Sequence, residues 1–431
     1  MVYLLYNFIL LLSSLFLVPY YLVHGLRYGK SRRGIRERLG YFTAEFQSKV
    51  QGRRIIWLHA VSVGETRAAI PLIRELRKDY PDFLILVSNV TETGHSIACE
   101  VPGIDHCIFF PFDFSWTVRK VFQLIAPELI IIVETEIWPN FTRQAKRLGI
   151  PLVLVNGRLS DRSYPRYRFA RFLLRPVLDC FAAFCMQSQT DAERIVSLGV
   201  ECAKVENTGN MKFDHELKNH SDDVFAQRKD SYRIPEQAAV IVAGSTHDGE
   251  EQLLLESLPR ISQRVSRELR LVIIPRHPER KKEVLNLFRG TGLQGRLRTE
   301  LKTDDALLNG DEVLVVDTLG EVLDFYSIAD IVFVGGSFVP IGGHNLLEAS
   351  LLAKPVLFGH HVHNFKEISK KLVRAGAGVK VNGLQEFEDQ CVLMLNDPAR
   401  CQAMGEAGRA LIVENSGATA RTMRHIRAAI G

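Results

Sequence analysis

Short runs of apolar residues alternate with longer amphipathic stretches over most of this chain. Up to residue 214, apolar runs typical of buried strands occupy residues 55–61, 83–87, 107–110, 129–133, 152–155 and 182–186. Apolar residues at helical spacing occupy residues 68–79, 116–125, 141–148 and 191–198 between them. Strands that are apolar throughout and joined by helices are typical of a parallel sheet with both faces covered.

A polar and charged stretch, residues 214–236, interrupts this series and predicts a linker. The strand pattern then restarts at residues 239–243, 271–275, 313–316, 331–334 and 355–358. A chain of 431 residues is too long for one ordinary core. We therefore predict an α/β protein of the GT-B architecture, with two Rossmann-like domains, residues 27–214 and 215–431, and a crevice between them. Neither half carries GxGxxG, which argues against dinucleotide binding.

The first 26 residues contain no Asp, Glu, Lys or Arg and are rich in Leu, Phe, Tyr and Val. At about 1.5 Å per residue, a helix of this length could just span a bilayer core. The basic residues Arg27, Lys30, Arg32, Arg33, Arg36 and Arg38 follow directly. Basic residues after an apolar segment favour the cytoplasmic side for the rest of the chain. Residues 1–26 therefore predict an uncleaved membrane anchor; the alternative is an apolar helix docked on the first domain.

The formal net charge of +5 is too small to indicate nucleic-acid binding, and no nucleic-acid recognition motif accompanies it. The placement of charge is more informative. Between residues 158 and 175 the chain carries Arg158, Arg162, Arg166, Arg168, Arg171 and Arg175, interleaved with Tyr164, Tyr167, Phe169 and Phe172. This composition suits an anionic membrane surface or a phosphorylated amphiphile. A solvated basic helix is the alternative.

Candidate catalytic residues of the first half follow predicted strands. Glu65 begins the helix after strand 55–61, where ligands bind in open α/β sheets. A carboxylate there can act as a base, although it can also merely complement the helix dipole. Glu134 and Glu136 follow strand 129–133 and would point the same way in an extended chain; a solvated strand end is the alternative. Lys212 lies where the first half ends, and could reach a phosphate.

Candidate ligand-binding residues of the second half also follow strands. Ser245 and Thr246, after strand 239–243, predict an anion site at a helix N-terminus. Arg276 is a natural phosphate ligand, and a structural salt bridge is its alternative role. A turn at Gly320 and Glu321 could meet a nucleotide base through its backbone. In the glycine-rich segment 334–348, Asn345 and Glu348 share a helix face, where the carboxylate could accept hydrogen bonds from ribose hydroxyls.

Five motifs in one order resemble a known family: HAVSVGE (59–65), ETEIWPN (134–140), GNMKFD (209–214), PRHPER (275–280) and GGHNLLE (342–348). Over nearly its whole length the chain resembles the Kdo transferases of lipopolysaccharide synthesis, Kdo being 3-deoxy-D-manno-oct-2-ulosonic acid. These are membrane-anchored GT-B enzymes that use CMP-Kdo. The resemblance implies that Glu65 is the catalytic base and that Glu134 and Lys212 stabilise the transition state. It implies a CMP site made by Arg276, His277, Gly320, Glu321, Val322, Asn345 and Glu348.

The resemblance implies transfer of Kdo from CMP-Kdo to a lipid A precursor, lipid IVA, at the cytoplasmic face of the inner membrane. Inversion is expected, since the acceptor hydroxyl attacks opposite the departing CMP. The sequence contains no DxD motif, and CMP carries a single phosphate, so we expect no metal or other cofactor. Two alternatives are another membrane-associated GT-B enzyme with a UDP-sugar donor and a non-catalytic, membrane-tethered nucleotide-sugar binder. Nucleic acid is not an expected partner.

Overall fold

The computed structural model describes residues 2–28, 34–161, 163–214, 229–302 and 304–430. Most of the predicted linker, residues 215–228, lies outside the described residues. So do four of the predicted basic residues, Lys30, Arg32, Arg33 and Arg162.

The chain divides into two compact units, one of Met1–His215 with Asn415–Gly431 and one of Glu216–Glu414. The sequence-based boundaries assigned all of residues 215–431 to the second domain. The structure corrects this at the C-terminal end, because the last segment belongs to the first unit.

The first unit contains a seven-stranded sheet in which all hydrogen-bonded neighbours run parallel. Its strands are β1 (Ile55–His59), β2 (Leu84–Asn89), β3 (His106–Phe109), β4 (Leu129–Val133), β5 (Leu152–Gly157), β6 (Ala183–Met186) and β7 (Val205–Asn207). Their order across the sheet is β3-β2-β1-β4-β5-β6-β7. The order reverses between β1 and β4, and crevices at such switch points bind ligands in α/β proteins.

The second unit repeats this design. Its strands are β8 (Ala239–Thr246), β9 (Leu269–Pro275), β10 (Gln294–Leu297), β11 (Glu312–Val315), β12 (Ile331–Val334), β13 (Val356–Phe358) and β14 (Gly378–Lys380). The order is β10-β11-β9-β8-β12-β13-β14, again with parallel neighbours. The sheets confirm the predicted pair of Rossmann-like α/β domains.

Helices connect the strands in both units. In the first unit they are α1 (Val2–Tyr28), α2 (Ile35–Arg38), α3 (Ala44–Val50), α4 (Val63–Asp79), α5 (Glu92–Glu100), α6 (Ser115–Ile125), α7 (Pro139–Arg147), α8 (Tyr164–Phe169), α9 (Arg171–Leu178) and α10 (Gln189–Ser197). The helices that come after β8 in the chain are α11 (Glu250–Ser262), α12 (Lys281–Asn286), α13 (Val322–Ile328), α14 (Leu347–Leu351), α15 (Lys366–Arg374), α16 (Leu384–Leu395), α17 (Pro398–Asn415) and α18 (Ala418–Ile430).

The central strands β1 and β4 of the first sheet are buried at every position, which explains why they are almost entirely apolar. In β1, Ile55 and Trp57 join one apolar cluster, whereas Ile56 and Leu58 join the cluster on the opposite face. Successive strand side chains point to opposite faces. A strand covered by helices on both sides therefore has no position for a solvent-facing residue.

The C-terminal helix α18 packs against the first unit. Ala418, Met423 and Ile426 are buried in the same apolar cluster as Ile56. The Asp214 carboxylate accepts hydrogen bonds from the backbone N–H groups of Gly417 and Thr419, at the start of this helix. Burial of these apolar side chains is the physical reason why the last residues belong to the first unit.

The N-terminal helix α1 docks on the first unit through polar side chains. The Tyr3 hydroxyl donates to the Pro176 carbonyl oxygen at 3.1 Å, and the Tyr6 hydroxyl donates to Asp113 Oδ2 at 2.9 Å. Asn7 Oδ1 accepts from Asn140 Nδ2 at 2.7 Å. None of the helices in the described part of the chain is both long and apolar enough to cross a membrane.

Candidate active site at the strand ends

Glu65 lies in the first turn of α4, directly after strand β1. Ser62 is the N-cap residue, and its hydroxyl oxygen accepts the Glu65 backbone N–H at 3.5 Å. The carboxylate turns back on the same loop. Glu65 Oε2 accepts the Val61 backbone N–H at 2.7 Å, and Oε1 accepts the Ser62 hydroxyl at 3.0 Å. This arrangement resembles a capping box and holds the carboxylate at the carboxyl edge of the sheet.

The environment of Glu65 favours its protonated form. The residue is only 9% exposed, and burial raises the pKa of its carboxyl to about 7, with further upward contributions from Glu134 and Glu136. The hydrogen bonds from Val61 and Ser62 oppose this rise in the pKa but do not cancel it. A carboxylate that exchanges its proton near neutral pH is suited to general base catalysis.

Glu134 and Glu136 lie at the end of β4, the strand hydrogen-bonded to β1. Glu134 has a φ of 59°, which non-glycine residues seldom adopt, and its N–H donates to the Val155 carbonyl at 2.9 Å. The extended conformation therefore ends at Glu134, so the expectation of two carboxylates aligned by an extended chain is wrong. Burial, together with Glu134, raises the pKa of Glu136. The three acidic residues nevertheless interact electrostatically at one edge.

Lys212 lies in a 3₁₀ turn, Met211–Phe213, that follows the edge strand β7. Its backbone N–H donates to Asn210 Oδ1 at 3.0 Å, and the Met211 N–H donates to Asn156 Oδ1 at 3.0 Å. Because Asn156 belongs to β5, the turn is tied to the middle of the sheet. The structure thus places Lys212 at the same carboxyl edge as Glu65.

His59, the first residue of the HAVSVGE motif, is a structural residue. It is completely buried, and burial lowers its pKa to about 3. Its Nδ1 lies 3.0 Å from Ser88 Oγ, and its ring stacks on Phe110 at a centroid distance of 3.8 Å. A neutral, enclosed imidazole joins β1 to the neighbouring strand β2.

The structure changes the prediction for Ser245 and Thr246. Both residues end β8, whereas the following helix α11 begins only at Glu250, with Gly249 as its N-cap. Thr246 is buried, and its hydroxyl donates to Glu251 Oε1 at 2.9 Å. Neither residue therefore forms the helix N-terminus that the sequence predicted. Their contact with a donor phosphate stays a prediction.

Arg276 and His277 directly follow β9, and both side chains are exposed. The Arg276 backbone N–H donates to the Thr246 carbonyl at 2.9 Å, which joins the ends of β9 and β8. His277 Nδ1 lies 3.3 Å from Glu279 Oε1. Both predicted ligands thus lie at the carboxyl edge of the second sheet.

The predicted base-binding turn precedes α13. Gly320 has a φ of 87°, a conformation that favours glycine, and Val322 begins the helix. The Glu321 carboxylate accepts from Arg298 Nη2 at 3.3 Å and from the Thr318 hydroxyl. Because the Glu321 side chain is engaged within the second unit, a contact of this turn with a base would use its backbone.

Asn345 and Glu348 are in contact at the start of α14. Asn345 Nδ2 donates to Glu348 Oε1 at 3.1 Å, and Asn345 Oδ1 accepts the Leu347 N–H at 3.2 Å. The predicted common face of these two residues is therefore present. Their proposed contact with ribose stays a prediction.

Glu250 is a buried residue of this edge that the sequence pattern did not predict. This fully buried carboxylate accepts four backbone N–H groups, from His247 at 3.0 Å, Gly336 at 2.7 Å, Ser337 at 3.0 Å and Phe338 at 2.9 Å. It joins the loop after β8 to the glycine-rich loop after β12. Its only sequence signal is an acidic residue at a helix start, which is too common to be informative.

Within the described ranges, no group of three or more His, Cys, Asp or Glu side chains is arranged to hold a metal ion. The prediction of metal-independent activity is left to experiment.

The described fold corresponds to a known architecture. The structure of UDP-GlcNAc 2-epimerase from Neisseria meningitidis matches 87% of this chain and 100% of its own, with a TM-score of 0.58 and 15% identity. At that identity the likeness shows the fold alone, a GT-B-like pair of Rossmann-like units.

Sequence comparison specifies the family. Residues 33–215 match the family model described as 3-deoxy-D-manno-octulosonic-acid transferase (kdotransferase). A 3-deoxy-D-manno-octulosonic acid transferase from Haemophilus influenzae is 33% identical over 91% of this chain and 90% of the relative. A bifunctional glycosyltransferase/methyltransferase from Fusobacterium nucleatum is 36% identical over 79% of this chain, but the match spans only 52% of that relative. The chain belongs to the Kdo transferase family, the glycosyltransferases that transfer Kdo in lipopolysaccharide biosynthesis.

Proposed function

We propose that this chain transfers Kdo from CMP-Kdo to a lipid A precursor, lipid IVA, with inversion at the anomeric carbon. Glu65 is the general base. The observation that carries this proposal is the buried Glu65 carboxylate, whose pKa of about 7 allows it to take up a proton near neutral pH. Membership of the Kdo transferase family supports the transferred sugar.

The reaction follows from the chemistry of the two substrates. A sugar hydroxyl of the acceptor is a poor nucleophile until a base removes its proton. As Glu65 takes that proton, the hydroxyl oxygen forms a bond to the anomeric carbon of Kdo. The bond from that carbon to the phosphate oxygen breaks, and its electron pair leaves with CMP. Attack on the face opposite CMP gives inversion.

The leaving phosphate gains negative charge during this step, so cationic groups stabilise the transition state. Lys212 and Arg276 are the proposed cations, and Glu134 is proposed to stabilise positive charge that develops on the sugar ring. His277, the turn Gly320–Val322, Asn345 and Glu348 are proposed to bind CMP. No metal is required in this scheme, because the donor carries one phosphate.

The direct test is incubation of the full chain with CMP-Kdo and a tetra-acylated lipid A precursor, followed by mass measurement of the lipid product. We expect the product mass to increase by whole Kdo residues. Competition by CMP, but not by UDP, would support the donor. Transfer of a different sugar from a UDP-sugar would contradict the proposal.

The base is tested with Glu65→Gln, which preserves size and hydrogen bonding but removes the basic carboxylate. We expect transfer to fall by about 10²- to 10⁴-fold, with CMP binding unchanged. Glu75→Gln is the matched control, since Glu75 lies on the same helix and its side chain is 43% exposed. Equal rates for Glu65→Gln and the control would rule out Glu65 as the base.

We also propose that the first unit lies on the cytoplasmic face of the inner membrane, anchored by α1. The docked face of this helix is polar, while Leu4, Phe8 and Leu15 are 75%, 65% and 65% exposed. The four aromatic residues predicted near α8 likewise include some that are packed and some that are exposed. Tyr164 and Tyr167 pack on the core, whereas Phe169 and Phe172 are exposed beside arginines. Apolar and cationic side chains together favour an anionic lipid surface.

Sedimentation with vesicles that contain anionic lipid tests this localisation. We expect Leu4→Ser combined with Phe8→Ser to weaken vesicle binding, and salt to weaken the binding of the wild type. Leu393→Ser changes a leucine of the second unit that is 45% exposed and should have no effect. Vesicle binding that is unaffected by the paired change would contradict a membrane role for this helix.

A further inference from the structure

Two histidines of the second unit face each other at the carboxyl edge of its sheet. His247 directly follows β8, and His344 lies in the glycine-rich segment after the neighbouring strand β12. Their Nε2 atoms are 2.8 Å apart. The ring planes are 3° apart, and the ring centroids are 5.1 Å apart. With the nitrogens so much closer than the centroids, the rings meet edge to edge, which is the geometry of an N–H···N hydrogen bond.

The backbone beneath this histidine pair requires glycine. Gly336 has a φ of 65°. A Cβ atom added there would lie 3.1 Å from His344 Cδ2, 3.2 Å from His344 Nε2 and 3.4 Å from His247 Cδ2. The carbonyl of Gly336 also accepts the N–H groups of Gly342 and Gly343, which immediately precede His344. The backbone of Gly336 thus lies directly against both rings.

A single buried carboxylate holds the two loops that carry the rings. Glu250 Oε2 accepts the backbone N–H of His247 and that of Gly336, at 3.0 and 2.7 Å. These two bonds come from the loop after β8 and the loop after β12. The distance between the two loops is therefore set independently of the imidazole rings. The pair is therefore built into the fold rather than formed by two mobile surface side chains.

Basic and acidic groups both surround His247, whose backbone N–H donates to the Glu250 carboxylate. His277 lies with its ring centroid 6.1 Å from that of His247. Burial lowers the pKa of His247, as do His277, Arg280 and Arg276, whereas Glu251 raises it. Glu251 is itself paired with Arg280 at 2.9 Å, and Arg280 also contacts Asp248 and Glu283. Arg276, which takes part in none of these pairs, supplies positive charge near His247 that favours an anionic ligand.

We propose that His247 and His344 bind an oxyanion of the donor, either its phosphate or the carboxylate of its sugar. Without a ligand, one proton lies between the two Nε2 atoms, since an N–H···N bond needs one donor and one acceptor. An anionic oxygen near both rings favours a second proton on the accepting Nε2, taken from solvent while Nδ1 of that ring keeps its own proton, so that this imidazole becomes cationic. Each Nε2–H then donates to the oxygen, and the N–H···N bond is broken. No covalent bond changes.

This inference rests on the proposed function, because it takes the donor to be a sugar nucleotide with both anionic groups. It assigns a role to His247 and His344 that neither base catalysis by Glu65 nor contacts to the nucleoside require. It also explains why the segment combines Gly336 with a histidine directly after Gly342 and Gly343.

The decisive measurement is proton uptake by the wild-type chain on ligand binding. Calorimetric titration in two buffers with different ionisation enthalpies gives the number of protons taken up. We expect uptake at pH 7.5, and we expect His247→Gln and His344→Gln to abolish it. His106→Gln, which changes a histidine at the start of β3 in the first unit, should leave it unchanged.

The ligands distinguish the two sources of the oxyanion. Uptake with CMP, which has no sugar carboxylate, would assign the site to the phosphate. Uptake with free Kdo would assign it to the carboxylate. So would a KM for CMP-Kdo that rises about tenfold in the variants while CMP binding is unchanged. No proton uptake by the wild type with either ligand, together with an unchanged KM in both variants, would overturn the proposal.

The wild-type measurement does not depend on the folding of any variant. Kdo transfer measured in the same preparation tests the proposed function separately. Wild-type transfer without proton uptake and without a change in the variants would reject this site alone, whereas absence of transfer would reject the proposed function.

Discussion

The hydroxyl of Tyr6 in the N-terminal helix donates a hydrogen bond to the buried carboxylate of Asp113, at 2.9 Å. The same carboxylate accepts the backbone N–H groups of Asn140 and Phe141, in the first turn of α7. Asp113 therefore caps the helix that follows the Glu134–Glu136 loop. Through it, docking of the N-terminal helix is connected to the acidic part of the candidate site.

Removal of the hydroxyl in Tyr6→Phe should lower the free energy of unfolding by about 1–2 kcal/mol. Burial raises the pKa of Asp113 to about 7, and the bond from Tyr6 opposes that rise because it favours the ionised form. The loss should therefore be larger at pH 8, where Asp113 is ionised, than at pH 6. Denaturant unfolding at both pH values measures it. Tyr41→Phe, at an exposed tyrosine, is the control, and an equal loss at both pH values would contradict the assigned bond.

Substitution of Glu136 by Gln should shift the acidic limb of the pH–rate profile to lower pH. Glu136 is one of the two neighbouring carboxylates that raise the pKa of Glu65. Removal of its charge makes Glu65 easier to ionise, so the base form is present at lower pH. The profile of kcat/KM measures the shift, with Glu75→Gln as the control. An unchanged acidic limb would mean that Glu136 does not influence the catalytic base.

Substitution of Glu250 by Gln should destabilise the second unit by about 2–4 kcal/mol. The two carboxylate oxygens accept two N–H groups each. A glutamine has only one acceptor oxygen. Its NH2 group would face two of the backbone N–H donors and could accept from neither. Denaturant unfolding gives the cost. Glu256→Gln, at an exposed residue of the same helix, should cost far less; similar costs for both changes would be inconsistent with the network.

Truncation after Glu414 should destabilise the first unit rather than the second. It removes the buried side chains of Ala418, Met423 and Ile426 and the hydrogen bond from Arg421 Nε to the Thr208 carbonyl at 2.7 Å. Hydrogen exchange should become faster in β5 and β6, while β8 and β12 serve as internal controls. Faster exchange confined to the second unit would contradict the assignment of this segment.

Treatment with EDTA followed by desalting should leave Kdo transfer unchanged. The proposed cations, Lys212 and Arg276, can neutralise the single phosphate of CMP without a divalent ion. Product mass and rate before and after treatment provide the measurement, with added Mg²⁺ as the control. If EDTA abolished activity and Mg²⁺ restored it, Glu134 and Glu136 would become candidate metal ligands.

Sequence patterns predicted the central strands of each sheet well and most of the edge strands poorly. Strands β1 and β4 are buried on both faces and therefore read as uninterrupted apolar runs. The edge strands β7, β10 and β14 are short, and each contains partly exposed or exposed positions. Their sequences lack a continuous apolar run because one side of an edge strand has no strand neighbour. These three strands were therefore absent from the prediction, whereas the fourth edge strand, β3, was predicted from the apolar residues 107–110.

The sequence by itself determined the α/β series, the two sheets, and the position of Glu65 directly after a buried strand, because these depend on local patterns of burial. Tertiary structure alone decided the pKa of Glu65, the contact between His247 and His344, and the return of α18 to the first unit. Each depends on residues far apart in the chain. Strand order places β1 beside β4 and β8 beside β12, and no local pattern encodes which strands become neighbours.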